Sequence, residues 1–338
     1  MSMQAVTNQR VLVTGGTGFT GSHLVKRLLA RGNKVRVLDN QKGLFYAELE
    51  ALGAEMVLGS VTDQQLVDRL VQGCEVVYHL AAAFRKINAS KEEYWDVNVN
   101  GTRYLCAAAL KHGVQRFVYC STQGVHGHIH TPPADEKTAV APADYYQYTK
   151  YEGEKVVDEF FKQGLKTAIL RPTAIYGPGD PGRWLILFKQ ASRRRFLMFG
   201  NGRTTYHPLY IDNLVDAFEL AAEKEAAIGQ TYLIGDEHFY TLNEIVTEVG
   251  EAVGNRVSIV RLPFWPLWLL AVATELVCLP FKIPPPLFRR RVDWFRQNRG
   301  FDISKAKREL GYHPRIDFKT GLACTAEWYR KNDFLPVA

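Results

Sequence analysis

At 338 residues with 46% hydrophobic side chains, the chain suits one large α/β domain or such a domain with a smaller partner. Its five cysteines show neither metal spacing nor a framework pattern, which excludes a disulfide scaffold and points to a reducing compartment. The net charge of +7 has no basic stripe interleaved with aromatics, so nucleic acid is excluded as a partner. What remains is a solvated surface, or attraction to anionic substrates or lipids through the arginine triplets at 193–195 and 289–291.

Residues 1–9 are polar without an apolar signal stretch, so a cytoplasmic protein is expected, with membrane association as a second option. An apolar run at 11–13 then feeds glycines at Gly15, Gly18 and Gly21, and helical periodicity follows through Leu24, Val25, Leu28 and Leu29. A strand, a tight turn and a helix N-terminus present backbone N–H groups to a pyrophosphate. Lys34–Asp39 reads as the second strand. Asp39 at its end would accept hydrogen bonds from ribose hydroxyls and repel a 2′-phosphate, favouring NAD. Arg36 and Lys42 lie near enough in sequence to keep NADP as an alternative.

Further strands are expected at 55–58, 75–80, 115–121 and 166–171, with helices at 63–71, 91–112 and 145–162. This alternation predicts an α/β fold, a Rossmann-type doubly wound parallel sheet with helices on both faces, over residues 8–172. Beyond Pro172, a Gly/Pro-rich loop at 176–182 precedes strands at 209–211, 231–234 and 257–262 and helices at 213–223 and 242–253. These predict a smaller C-terminal α/β lobe for substrate at 173–335, some of whose elements return to the first domain. The segment 264–281 is apolar except for Thr274 and Glu275 and contains two tryptophans. Pro266 and Pro280 make it too short for a span of about twenty residues. It reads as a buried or lid helix beside an apolar pocket, or as a peripheral membrane contact.

A tyrosine and a lysine four apart on a helix share one face, and an ammonium beside a phenol lowers the phenol's pKa. The spacing occurs twice, at Tyr146/Lys150 and Tyr151/Lys155. Tyr146 stands at the helix entrance, near the sheet edge where a cofactor would lie, and Thr122 closes the fifth strand 24 residues earlier. Tyr146, Lys150 and Thr122 are therefore the expected catalytic set.

Together, TGGTGFTG at 14–21, HLAA at 79–82, NVNGT at 98–102, CSTQGVHG at 120–127, YQYTK at 146–150 and RPTAIYGP at 171–178 resemble the extended short-chain dehydrogenase/reductases, the NAD-dependent epimerase/dehydratase superfamily. The likeness continues through YIDNLVDA at 210–217 and the segment 301–312. It implies Tyr146 as general acid/base, Lys150 as its tuner and ribose ligand, and Thr122 as hydrogen-bond donor to the reacting oxygen. It also implies Gly15, Gly18, Phe19, Thr20, Gly21 and Asp39 around the pyrophosphate and adenosine, and Val61 at the adenine. Leu80, Ala81 and Ala82 would form a backbone passage for the cofactor, with Asn98 and Pro172 near the nicotinamide. Many members have Asp where this chain has Ser60.

Two branches fit. Nucleotide-sugar epimerases and dehydratases usually carry an Asn and an Arg where this chain has Ala174 and Tyr206. Losing a charge-assisted partner for a diphosphate costs about 1.5–3 kcal/mol, unless Arg203, Arg183 or the 289–291 cluster substitutes. The other branch is closest in look to 3β-hydroxysteroid dehydrogenase. It shares the long apolar stretch, so a hydrophobic secondary alcohol is the preferred substrate and a sugar nucleotide the alternative. A non-catalytic dinucleotide-binding regulator is a third reading, against which the intact Tyr/Lys/Thr set argues. His126 and His207 are candidate substrate contacts beside Ala174 and Tyr206. His126, His128 and His130 alternate without acidic or cysteine partners, so no metal is expected. Ser304 reads as the N-cap of a helix at 305–310, and a homodimer through the helices near Lys91 and Tyr146 is implied by the resemblance.

Overall fold

The computed structural model describes residues 7–84, 90–281, 283, 285–287 and 289–336. The first part of the chain alternates β1 (Arg10–Thr14), α1 (Phe19–Ala30), β2 (Lys34–Asp39), α2 (Tyr46–Ala51), β3 (Glu55–Leu58), α3 (Gln64–Val71) and β4 (Val76–His79). Next come α4 (Lys91–Trp95), α5 (Gly101–Lys111), β5 (Arg116–Cys120), α6 (Tyr145–Lys162), β6 (Thr167–Pro172) and β7 (Ala174–Tyr176). The second part contains α7 (Arg183–Ser192), β8 (Arg195–Phe199), β9 (Thr205–Tyr206), β10 (Pro208–Tyr210), α8 (Ile211–Glu223), β11 (Gln230–Ile234) and β12 (Tyr240–Thr241). It ends with α9 (Leu242–Ala252), β13 (Ser258–Leu262), α10 (Phe264–Cys278), α11 (Arg289–Val292), α12 (Ser304–Leu310) and α13 (Phe318–Lys331).

Seven parallel strands form the main sheet in the order β11-β6-β5-β4-β1-β2-β3. Strands β4 and β6 are buried along their whole length, as a sheet covered on both faces requires. One face packs α1, α8 and α12, through Leu24, Leu28, Leu214, Phe218 and Leu310. The other packs α3, α5 and α6, through Val67, Leu105, Cys106, Val156 and Phe160. The strand order reverses between β1 and β4, so the loops after Thr14 and His79 diverge and leave a crevice at the carboxyl edge. A second core lies between α7, α9 and α13, around Trp184, Phe188, Ile245, Phe318 and Tyr329.

The doubly wound architecture matches the expectation, and β11, α8 and α12 return from the second part to the main sheet. Three local features differ. First, the helix expected at 91–112 is interrupted by a π-helical turn at Asp96–Asn100. One extra residue per turn rotates Asn98 inward, a distortion common at functional sites. Second, α10 is not a buried helix: only its Ala271 is buried, and Trp265 is 65% exposed. Third, Ser304, expected to cap α12, is its first residue instead, and the Asp302 carboxylate accepts from the Ser304 N–H and Oγ–H. Among the described residues no helix is long and apolar enough to cross a membrane.

Candidate active site

The glycine loop is fixed by close contacts. Gly15 has φ +71°, and a Cβ there would stand 2.8 Å from the Ala81 nitrogen, so only glycine lets the loops after β1 and β4 touch. A Cβ on Gly21 would meet the Gly15 carbonyl, which brings α1 hard against the turn. Helix α1 starts at Gly18 without a side-chain cap and with no acid in its first turn. Its leading N–H groups, at Phe19, Thr20 and Gly21, therefore keep their capacity for an anion. Phe19 packs edge-on to His23, whose Nε2 bonds the Pro178 carbonyl at 2.9 Å, tying α1 to the Gly/Pro loop.

Asp39 ends β2 as expected. One carboxylate oxygen accepts from the Thr17 N–H at 3.0 Å and the Thr17 hydroxyl at 2.6 Å, which aims the group across the crevice mouth. These residues fit an adenosine diphosphate: backbone donors for phosphate, a carboxylate for ribose, and no room for extra side chains between. The Val61 side chain, by contrast, turns into the core against Gly101. The Ser60 hydroxyl bonds Thr62 at 2.7 Å.

Beneath the crevice runs a polar spine that the sequence reading did not assign. His79 is fully buried, with Nδ1 2.7 Å from the Thr14 hydroxyl and Nε2 2.9 Å from the Thr102 hydroxyl. Thr102 donates to the Asn98 carbonyl, so it accepts from Nε2–H, and Nδ1 is the acceptor from Thr14. The Thr14 oxygen in turn accepts from the Ala81 N–H at 3.2 Å. Burial and the nearby Lys150 ammonium hold His79 well below its ordinary pKa, in keeping with this single neutral tautomer. The passage Leu80–Ala81–Ala82 is thereby anchored from below. Asn98 anchors it from the side, accepting from Ala83 N–H at 2.9 Å and donating to the Thr149 hydroxyl at 2.9 Å.

Asp144 caps α6, accepting from Gln147 N–H, and sets Tyr146 and Lys150 on the face toward the sheet. Tyr146 is half-buried with its ring 4.8 Å from that of Phe84. Lys150 is 1% exposed, its Nζ 4.0 Å from the centre of the Tyr119 ring, and burial pushes its ammonium down to about 8. The competing pair separates cleanly: Lys155 is in solvent, bonded to Glu152. Thr122 accepts from Gly124 N–H at 3.1 Å through its hydroxyl oxygen, which leaves its own hydrogen for another acceptor. Pro172 ends β6 beside Ile234.

A further element of the site was missed. Glu154, one turn beyond Lys150, is buried and receives a bidentate contact from Arg171, 2.9 and 2.6 Å, plus the Ser121 hydroxyl. It therefore locks α6 to the residue preceding Thr122. The remaining guanidinium N–H reaches His126 Nε2 at 3.0 Å. His126 is 1% exposed and committed to this cluster. His207 is also buried, donates to the Asp236 carbonyl at 2.8 Å, and is pushed down to about 4 by desolvation. Tyr206 is buried with its ring against Trp184 and Trp294. Of the four substrate candidates only Ala174 is half-exposed, its N–H bonded to the His207 carbonyl. Arg203 is exposed, Arg289 pairs with Glu275, and the side chains of Arg183, Arg290 and Arg291 lie outside the described part.

A profile of the NAD dependent epimerase/dehydratase family matches residues 11–235. A 3 beta-hydroxysteroid dehydrogenase/Delta 5-->4-isomerase of Mycobacterium tuberculosis is 31% identical, over 95% of this chain and 90% of its own. The N-acetyl-alpha-D-glucosaminyl-diphospho-ditrans,octacis-undecaprenol 4-epimerase of Escherichia coli O157:H7 is 32% identical, over 78% of each. Among solved structures, the dTDP-glucose 4,6-dehydratase of Streptomyces venezuelae with NAD and TYD bound superposes with a TM-score of 0.76, at 27% identity over 96% of this chain and 97% of that one. With the glycine turn, Asp39 and the buried Lys150 in place, the chain belongs to the NAD dependent epimerase/dehydratase family and uses NAD.

Proposed function

We propose that the chain transfers hydride between nicotinamide C4 and the secondary carbinol carbon of a hydrophobic, sterol-like substrate, with Tyr146 as general acid/base. Bound NAD supplies the hydride acceptor. The protein supplies everything that handles the proton. Lys150, pushed down to about 8 by burial, is still mostly ammonium at neutral pH, and from its place one turn along α6 from Tyr146 it would hold the ribose hydroxyls of bound NAD. Thr122, its oxygen lone pair already engaged by Gly124, donates to the substrate oxygen. Tyr146 takes the alcohol proton during oxidation and returns it during reduction. Glu154–Arg171 and Asn98 keep these groups in register.

The observation that supports the apolar substrate is Tyr206, buried between Trp184 and Trp294 where sugar-nucleotide members place an arginine. A homodimer through the helices near Lys91 and Tyr146, α4–α5 and α6, belongs to the same reading. The likeness to the Escherichia coli and Streptomyces enzymes favours a second reading, in which the same three residues oxidise a nucleotide- or diphosphate-linked sugar transiently and NADH never leaves. Thermal melts with 3β-hydroxysterols and UDP-sugars, together with an assay for retained NAD, separate the two. Stabilisation by the sterol with exchangeable NAD supports the first. Tightly retained NAD with stabilisation by UDP-sugars overturns it.

A further inference from the structure

Among the described residues, exposed apolar side chains concentrate on α10 and on the parallel ribbon β8–β13 that leads into it. Trp265, Leu269, Leu270, Leu276 and Val277 on α10 are all more than half exposed, and Leu279 and Phe281 continue the series. The helix has two polar side chains, and both are tied inward: Thr274 donates to the Leu287 carbonyl, and Glu275 holds the Arg289 backbone and guanidinium. Its remaining exposed side chains are apolar. On the ribbon, Leu197 pairs with Val260 on the outward face, both exposed, and Leu262 follows two residues before α10 begins. Around this surface Arg193, Arg195, Arg256 and Arg261 are exposed and, among the described residues, form no ion pair.

We propose that this surface seats the protein on an anionic phospholipid bilayer, with α10 lying in the interfacial plane. A contiguous apolar patch of this kind marks an interaction site rather than ordinary surface. Fifteen residues span only about 22 Å, too short to cross a hydrocarbon core of about 30 Å. An amphipathic rim of arginines beside tryptophan and leucine is what an anionic interface binds. A second copy is a poorer occupant: a two-fold contact would set the unpaired arginines of one protomer near those of the other. The proposal holds whichever substrate the site takes, so it stands or falls separately from the reading above.

Sedimentation with phosphatidylcholine vesicles, with and without phosphatidylglycerol, tests it on the full chain without substrate. Binding to the anionic vesicles, reversed by salt, is expected. Trp265→Ser combined with Leu276→Ser, and separately Arg195→Glu with Arg261→Glu, should each weaken it at least tenfold. Unchanged stabilisation by NAD verifies that these variants are folded. Absence of vesicle binding, equal binding to both compositions, or wild-type binding by either variant overturns the proposal. So does a dimer that the Trp265/Leu276 variant dissociates while the wild type ignores vesicles.

Discussion

Replacing Lys150 by methionine should stabilise the cofactor-free protein while abolishing turnover. Burial lowers this ammonium from 10.5 to about 8, a difference of roughly 2.5 pKa units, or about 3 kcal/mol against the charged form. Methionine keeps the apolar stem and removes the charge. It forfeits the contact with the Tyr119 ring, about 1 kcal/mol, so a net gain of about 2 kcal/mol remains. The sign of the pH dependence follows from linkage. Between pH 8 and 10.5 the unfolded wild type binds more protons than the folded one, so wild-type stability rises with pH through that window. The advantage of Lys150→Met should be full below pH 8 and fade above it. Urea unfolding of NAD-stripped protein at pH 7 and pH 10 measures both. A variant less stable than wild type at pH 7, or a difference that does not shrink at pH 10, would refute the claim that Lys150 is held charged at a cost.

Tyr146→Phe should lower kcat by orders of magnitude while NAD binding, followed by tryptophan quenching, stays within a few-fold. Glu154→Gln leaves the buried Arg171 without its carboxylate and should destabilise by about 3–5 kcal/mol in urea melts. Because Glu154 also holds Ser121 next to Thr122, kcat should fall more than KM changes. Asp39→Ser should improve use of NADP relative to NAD by at least tenfold in kcat/KM, since the carboxylate that opposes a 2′-phosphate is gone. Asp236, raised to about 6 by burial, binds a proton in the folded state before the unfolded one does. Stability should therefore fall as pH rises from 4 to 6 by this contribution, a trend that Asp236→Asn removes.

The dinucleotide half of the site was legible because its constraints are local. Gly15, Gly21 and Asp39 sit at fixed offsets within one βαβ unit, and Tyr146 and Lys150 share a helix face through spacing alone. Contacts made across the fold were not legible. Glu154 and Arg171 meet because α6 packs beside β6, a register no sequence period states. That same arginine takes His126, which position alone had offered to substrate. That Tyr206 is uncharged is plain from its residue type, whereas its burial depends on Trp184 and Trp294 arriving from distant elements. The π-helical turn at Asp96–Asn100 hides within an ordinary helical pattern, and its effect shows only in the Asn98 contact with Ala83. For α10 the composition told how apolar the helix is, whereas whether anything covers it is a tertiary fact.

The central claim is net hydride transfer with Tyr146 handling the proton. The most direct test follows the absorbance of reduced nicotinamide on mixing the protein with excess NAD and a 3β-hydroxysterol. The account predicts NADH accumulating through many turnovers per site, and its loss in Tyr146→Phe. Conversion of a UDP-sugar to its epimer with no free NADH, and no reaction with the sterol, would contradict it.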